Sequence, residues 1–462
     1  MVRKIGSKAP IKTILGIASL MVVLGAGLGT RLAFGTDAPP APASAPPAAT
    51  PAPAQAASGA PATAPAPTTP ASPLADQLAR GKYLVAAADC MPCHSGPGHA
   101  PYTGGLPFKT PFGVMYSPNI TPDKATGIGN WTDKQFYTAI HDGISPGHSF
   151  LIFPKYIYPA MPYTSYSQLT YNDVMAMKAY IFSLTPVSAP HVPNALNFPF
   201  NLRPILLGWR ILFFHPHAMK YDASWSANVR NGAYLTEALG HCTECHSPRN
   251  IFAAIKSGDT YAGAPIDSWY APNISSSKRY GVGAWSQGDL VSYLHDGGNI
   301  DKGSAYGSMR DVVTYSLSQL PVSDVQDIAT YLQTITTPRD TPPSPSPLSA
   351  DDLAAQLKTG GEIYAQNCAG CHQATGKGMM TLIPALAGNG SVTAAAPTNV
   401  IGAVVLGLEP WNHGPPMPAF GSRLNNDQIA AVANYVRTSM GNDATANATP
   451  DDVQAIRDLN KK

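Results

Sequence analysis

Charge is scarce in this chain of 462 residues: Asp, Glu, Lys and Arg make up only 13%, against roughly 25% in typical soluble proteins. The formal net charge is +2, so no basic excess points to a nucleic-acid partner. Cysteine is scarcer still, with six residues and none outside three copies of one short motif. Long apolar sequence free of charge is confined to one run, Thr13 to Thr30, and the twelve residues before it contain no acid but carry Arg3, Lys4, Lys8 and Lys12. Low charge together with 46 prolines describes a loop-rich chain, much of whose surface is covered by bound groups or partner subunits.

The cysteines lie in Cys90-Met-Pro-Cys93-His94, Cys242-Thr-Glu-Cys245-His246 and Cys368-Ala-Gly-Cys371-His372. Two thiols one helical turn apart can form thioethers with the two vinyl groups of haem, and the adjacent histidine can ligate its iron, which is the attachment signature of c-type haem. One copy alone would also suit a zinc half-site or a redox dithiol beside a chance histidine. Three copies with no cysteine left over disfavour both. The expected cofactors are three covalently bound haems c, with His94, His246 and His372 as proximal iron ligands.

The N-terminal run has 18 residues, longer than the roughly 7 to 15 of a signal-peptide apolar region and close to the roughly 20 that span a bilayer. An uncleaved anchor is favoured over cleavage after Ala33-Phe34-Gly35, and either reading puts the remainder in the bacterial periplasm, at the inner membrane if anchored. From Thr36 to Pro73 the chain is almost entirely Ala, Pro, Thr and Ser, with no aromatic residue. It cannot bury a core and is expected to be a disordered tether.

The remaining body, about 390 residues, suits three domains of ordinary size. Each motif follows a short helical segment holding glycine then an aromatic: Gly81-Lys-Tyr83, Gly232-Ala-Tyr234 and Gly361-Glu-Ile-Tyr364. Each precedes a second amphipathic helix opening at Asn172-Asp173, Ser323-Asp324 or Asn426-Asp427, whose Asx and Ser residues are expected to be N-caps. The fold class expected is mainly α: three tandem class I cytochrome c domains behind an anchor helix and an Ala/Pro linker. The boundaries are 1–35 export signal or anchor, 36–73 tether, 74–185 domain 1, 186–225 connector, 226–335 domain 2, 336–350 Pro/Ser linker, 351–442 domain 3 and 443–462 tail. The first two units share further blocks that the third lacks: Tyr-x-Pro-Asn-Ile (Tyr116 to Ile120, Tyr270 to Ile274), Gly-x-Gly-x-Trp (Gly127 to Trp131, Gly281 to Trp285) and His-Asp-Gly (from His141 and His295).

A distal methionine raises the potential of haem c relative to a second histidine. Between His246 and the end of the second linker Met309 is the only methionine, so a methionine ligand for the second iron must be Met309. Unit one offers Met115, Met161, Met175 and Met177. The last two fall on the second helix as core residues, and Met161, stiffened by flanking proline in Tyr158-Pro-Ala-Met161-Pro-Tyr163, is the favoured ligand. Pro415-Pro416-Met417-Pro418 repeats the device and favours Met417 over Met379, Met380 and Met440. His141 and His295 could replace methionine, although packing at a helix end is the simpler role. The apolar segment Asn197 to Phe214 is interrupted by Arg203, Pro204 and Arg210, which argues against a membrane span; it reads as a buried interdomain helix or an interfacial segment.

From about Leu74 to Met440 the chain resembles the triheme cytochrome c subunits of membrane-bound, quinone-reducing periplasmic dehydrogenases. The likeness runs through the three motifs, Tyr-x-Pro-Asn-Ile, Tyr-Pro-Ala-Met-Pro-Tyr, Gly-Ser-Met309-Arg-Asp-Val-Val, Pro384-Ala-Leu-Ala-Gly-Asn389 and Met417-Pro-Ala-Phe. The resemblance implies an electron-transfer subunit, not itself an enzyme, that accepts electrons from a catalytic subunit and passes them to ubiquinone. That partner would be of the PQQ alcohol, flavin gluconate or sorbitol, or molybdopterin aldehyde type, the last with an iron-sulfur subunit. The anchor and the long tether depart from the alcohol-type subunit, and Phe150-Leu-Ile-Phe-Pro-Lys-Tyr-Ile-Tyr158 resembles the aldehyde type, towards which the reading leans. A multihaem peroxidase and a terminal-oxidase cytochrome subunit are the competing classes.

Overall fold

Three crossing helix pairs organise the described residues. The computed structural model describes residues 73–461 except 151, 337–345, 347, 380–381 and 411–413. The expected anchor, all of the tether but Pro73, and most of the Pro/Ser linker therefore lie outside the described residues. The leading helices are Pro73–Ala87, Ala227–Ala233 (running on as a π-helical turn, Tyr234–Leu239) and Ala350–Asn367. The trailing helices are Tyr171–Ser183, Val322–Leu332 and Asn426–Thr438, each packed across its own leading helix.

Glycine sets each crossing. A Cβ on Gly81 would sit 2.0 Å from the Ala176 carbonyl oxygen, one on Gly232 2.0 Å from that of Asp327, and one on Gly360 2.2 Å from that of Ala431. The third contact corrects the expectation of Gly361. It also divides the glycine-then-aromatic pattern into two cases. Tyr364 stands four residues after its glycine, is buried, packs on Tyr435 at 5.5 Å and donates to the Gln373 carbonyl at 2.6 Å. Tyr83 and Tyr234 stand two residues after theirs, on a different helix face.

The expected caps are corrected as well. Thr170 caps the first trailing helix by accepting from the Asp173 amide, Asn425 caps the third in a capping box with Gln428, and the second starts after Pro321 with no side-chain cap. Asn172, Ser323 and Asn426 lie inside the first turns, and so do Asp173 and Asp324.

Small antiparallel hairpins follow the first two motifs in parallel order. Pro107–Thr110 pairs with Gly113–Tyr116 and Ala264–Ile266 with Trp269–Ala271; further on, Ile144–Phe150 pairs with Phe153–Tyr156 and Gly298–Asn299 with Gly303–Ser304. Buried side chains form two cores. The first is continuous across both of the first two helix pairs, from Leu84, Val174 and Met177 to Leu235, Val325 and Ile328. The second gathers Ile363, Tyr364, Ile401, Ile429 and Val432 around the third pair. Asn399 joins the two by accepting from the Tyr270 amide at 2.8 Å and donating to the Tyr270 carbonyl at 2.9 Å.

In the apolar connector only Leu206–Phe213 forms an α-helix; Leu206 and Phe214 are buried while Phe198, Ile211 and Leu212 are exposed. Among the described residues no helix is long and apolar enough to cross a membrane.

Candidate haem-attachment sites

All three motifs close the same turn. The amide of the histidine donates to the carbonyl of the first cysteine at 3.1 Å for His94, 3.0 Å for His246 and 2.9 Å for His372. This sets the two thiols of a motif on one face, three residues apart. The residues leading into the first two motifs, Asp89 and His241, share left-handed backbone at φ 49° and 39°.

Burial pushes the thiols up, Cys93 and Cys242 to about 12 and Cys245 and Cys368 to about 11. Cys90 moves the same way. In these five thiols burial works against the thiolate that a redox dithiol needs. Among the described residues, no three His, Cys, Asp or Glu side chains converge as a metal cluster would require.

The histidines are prepared as ligands. His94 Nδ1 lies 2.9 Å from the Pro118 carbonyl oxygen and His246 Nδ1 2.6 Å from that of Pro272. An imidazole that donates Nδ1–H to a carbonyl keeps its Nε2 lone pair free for iron. In the third motif the Pro384 carbonyl acts on His372 but falls short of hydrogen-bond geometry, leaving Nδ1 buried and unpartnered. Desolvation pushes all three imidazoles below their usual range, against the opposing pull of these carbonyls. The neutral ring is the form that binds metal.

These proline carbonyls are the functional groups that reasoning from sequence missed, although the signal was present. Pro118 and Pro272 are the prolines of Tyr-x-Pro-Asn-Ile. The following asparagine holds the turn: Asn119 Oδ1 accepts from the Thr121 amide at 2.9 Å and Asn273 Oδ1 from that of Ser275 at 2.8 Å. The Gly-x-Gly block lies against this turn. A Cβ on Gly127 would meet the Thr121 carbonyl at 2.2 Å, and one on Gly281 that of Ser275 at 2.3 Å.

Met161 and Met309 are half-buried against the shared core. Tight turns fix the first, with its amide bonded to the Tyr158 carbonyl at 3.1 Å and its carbonyl to the Tyr163 amide at 2.8 Å. Met417 is half-buried against the third pair's core and exchanges both backbone bonds with Leu408, at 2.9 and 3.0 Å. Among the other methionines, Met177 is fully buried in its helix and Met115 lies in a strand opposite Phe108. Met440 adopts φ 61° beside Gly376, Met379 is exposed and Met380 lies outside the described residues. His141 and His295 end their helices, each with Nδ1 2.7 Å from the next residue's carboxylate, Asp142 or Asp296.

Paired thiols within one turn, a neutral histidine beside them and a carbonyl setting its tautomer fit covalent haem c. Residues 357–440 match the Cytochrome c family. The chain is 38% identical to the gluconate 2-dehydrogenase cytochrome c subunit of Pantoea cypripedii, over 82% of this chain and 89% of that one. It is 36% identical to the cytochrome c subunit of the quinone alcohol dehydrogenase of Gluconobacter oxydans, over 82% of each. It is also 36% identical to the fructose dehydrogenase cytochrome subunit of Gluconobacter japonicus, over 84% of each.

Proposed function

The chain belongs to the cytochrome c subunits of dehydrogenase complexes, electron-transfer components rather than catalytic ones, and from that premise we propose that it carries three haems c and passes electrons from a catalytic dehydrogenase subunit to ubiquinone. The observation that carries the reading is the triple recurrence of a cysteine pair in a closed turn beside a desolvated histidine, in the first two of which a proline carbonyl also holds the histidine Nδ1. When bound, haem supplies a one-electron ferric/ferrous couple. Cys90, Cys93, Cys242, Cys245, Cys368 and Cys371 would attach it, His94, His246 and His372 would ligate its iron, and Met161, Met309 and Met417 would each supply a second iron ligand. Each helix pair with its motif is one cytochrome c domain within the boundaries drawn from the sequence.

The aldehyde-type complex, with an iron-sulfur subunit, is the proposed home. Gluconate and alcohol complexes are the alternatives that the relatives' names support. Pyridine haemochrome analysis with intact-mass measurement on the mature protein is expected to find three haems, and two or fewer would overturn the count. Copurification is expected to bring down a large dehydrogenase whose cofactor distinguishes the complexes. A copper-haem oxidase in its place would favour the terminal-oxidase reading.

The body is proposed to face the periplasm, held at the inner membrane by residues 13–30. Replacing residues 1–73 with a cleavable leader is expected to release the isolated subunit from membranes. Retention of the truncated protein without any partner would move the anchor to the apolar connector.

A further inference from the structure

Two hydrogen bonds cross between the first two helix pairs, and each is the counterpart of the other. Tyr83 of the first leading helix donates to Asp324 Oδ2 on the second trailing helix at 2.7 Å. Tyr234, from the second leading segment, donates to Asp173 Oδ2 on the first trailing helix at 2.6 Å. Both tyrosines stand two residues after the crossing glycine, and both acids lie in the first turn of a trailing helix.

The remaining oxygen of each acid is held from its own pair. Arg80 donates to Asp173 Oδ1 at 2.9 and 3.1 Å, and Asn231, the residue equivalent to Arg80, donates to Asp324 Oδ1 at 3.2 Å. Burial, then the facing carboxylate, pushes both phenols far above their ordinary range, so both remain donors. The bonds are charge-assisted and lie at the edge of a continuous apolar core.

The two attachment motifs meet across the same junction. Tyr166, shortly after Met161, donates to the Ala88 carbonyl at 2.7 Å and sets its ring edge-on to His241, centroids 5.7 Å apart, next to Cys242. Thr164 donates to Glu244, inside the second motif, at 2.8 Å. Reciprocally, the helix Ser308–Tyr315, which contains Met309, packs on the Cys90–Cys93 turn. Each methionine segment thus lies against the other pair's haem motif, around an approximate twofold relation. The third pair stands outside it, since Tyr364 donates within its own pair.

We propose that Tyr83, Asp324, Tyr234 and Asp173 form a reciprocal clasp that positions the first two haem sites as one coupled redox pair, with the third haem joined to it separately. The inference rests on the reading that each motif carries a haem. Both acids keep their own-pair donors when a tyrosine hydroxyl is removed, and phenylalanine keeps the ring, so Tyr83→Phe and Tyr234→Phe loosen the junction without emptying it.

The test uses the full chain with its haems attached. Haem count comes first, because fewer than three in the parent protein defeats the underlying reading rather than the clasp. With three haems present, each single variant is expected to raise amide exchange in the two trailing helices about tenfold, the loss expected for a hydrogen bond to a charged group. In the double variant, pulsed EPR is expected to show a weakened and broadened magnetic interaction between the first two ferric centres. Redox titration is expected to shift the potentials of those two and leave the third in place. A double variant with three haems, native magnetic interaction and native potentials overturns the clasp. Should the double variant lose haem, Asp324→Asn, which keeps an acceptor of the same shape, decides by the same two readouts with a smaller expected shift.

Discussion

Met309→Ala is expected to leave three haems attached and to change the iron of one. On the proposed assignment thioether formation uses Cys242 and Cys245, whose turn is closed by the His246 amide and needs nothing from Met309. The Met309 segment has little freedom to offer a substitute: Gly307, which starts its helix, has φ 54°, and a Cβ there would strike the Trp269 indole nitrogen at 2.6 Å. One iron in three is therefore expected to become high-spin or to take water or a histidine. Its potential is expected to fall by on the order of 0.1 V, because a thioether favours ferrous iron and axial ligands move haem potentials over about 0.8 V. Met309 is half-buried against the shared core, so the same change is expected to lower stability by about 1–2 kcal/mol, below the full cost of truncating a buried methionine. Absorption spectra with a redox titration decide. Three unchanged haems would make Met309 a packing residue and turn attention to His295, which ends the helix Gln287–Asp296.

What was legible in the sequence was local. The helix pairs follow from apolar periodicity, and each cysteine motif closes the single turn that its spacing imposes. The caps failed because an acceptor side chain upstream competes for the same amides. Thr170 takes the Asp173 amide, while Pro321, with its fixed φ, starts the second trailing helix without a side-chain bond. The proline carbonyls were visible only as a repeated word, since their role depends on a turn that folds back over the motif 24 residues away in the first case. Tyr83 and Tyr234 were read with Tyr364 as one pattern. The distinction is tertiary, because the partner of Tyr83 is 241 residues distant and no local preference encodes it. For the methionines, sequence scarcity supported Met309 and proline-stiffened loops supported Met161 and Met417. The half-burial of all three against the cores agrees with either ligation or packing, which is why the spectroscopic test carries the assignment.

Gly360→Ala is expected to cost the protein one haem, and Gly232→Ala two. The added methyl group would lie 2.2 Å from the Ala431 carbonyl oxygen in the first case and 2.0 Å from that of Asp327 in the second. Both obstacles are helix backbone and cannot swing aside as a side chain would. Forcing the helices apart is expected to cost on the order of 3 kcal/mol or more, at the upper end for overpacking, and the two crossings differ in what depends on them. Around the third pair the apolar core is its own, and its ties to the second include polar ones such as Asn399 with Tyr270 and Arg279 with Asp443 at 3.1 Å. The Arg279–Asp443 pair is exposed and contributes little, and with no apolar core shared across the junction among the described residues the third site is expected to fail alone. Gly232 borders a core continuous with that of the first pair, and loosening it withdraws packing from both motifs together. Haem per chain in purified full-length protein is therefore expected near two for Gly360→Ala and near one for Gly232→Ala, with Gly81→Ala matching the latter. Loss of all three haems in Gly360→Ala would show that the two cores fold as one cooperative unit. Loss of a single haem in Gly232→Ala would show that the shared core is two independent ones in contact.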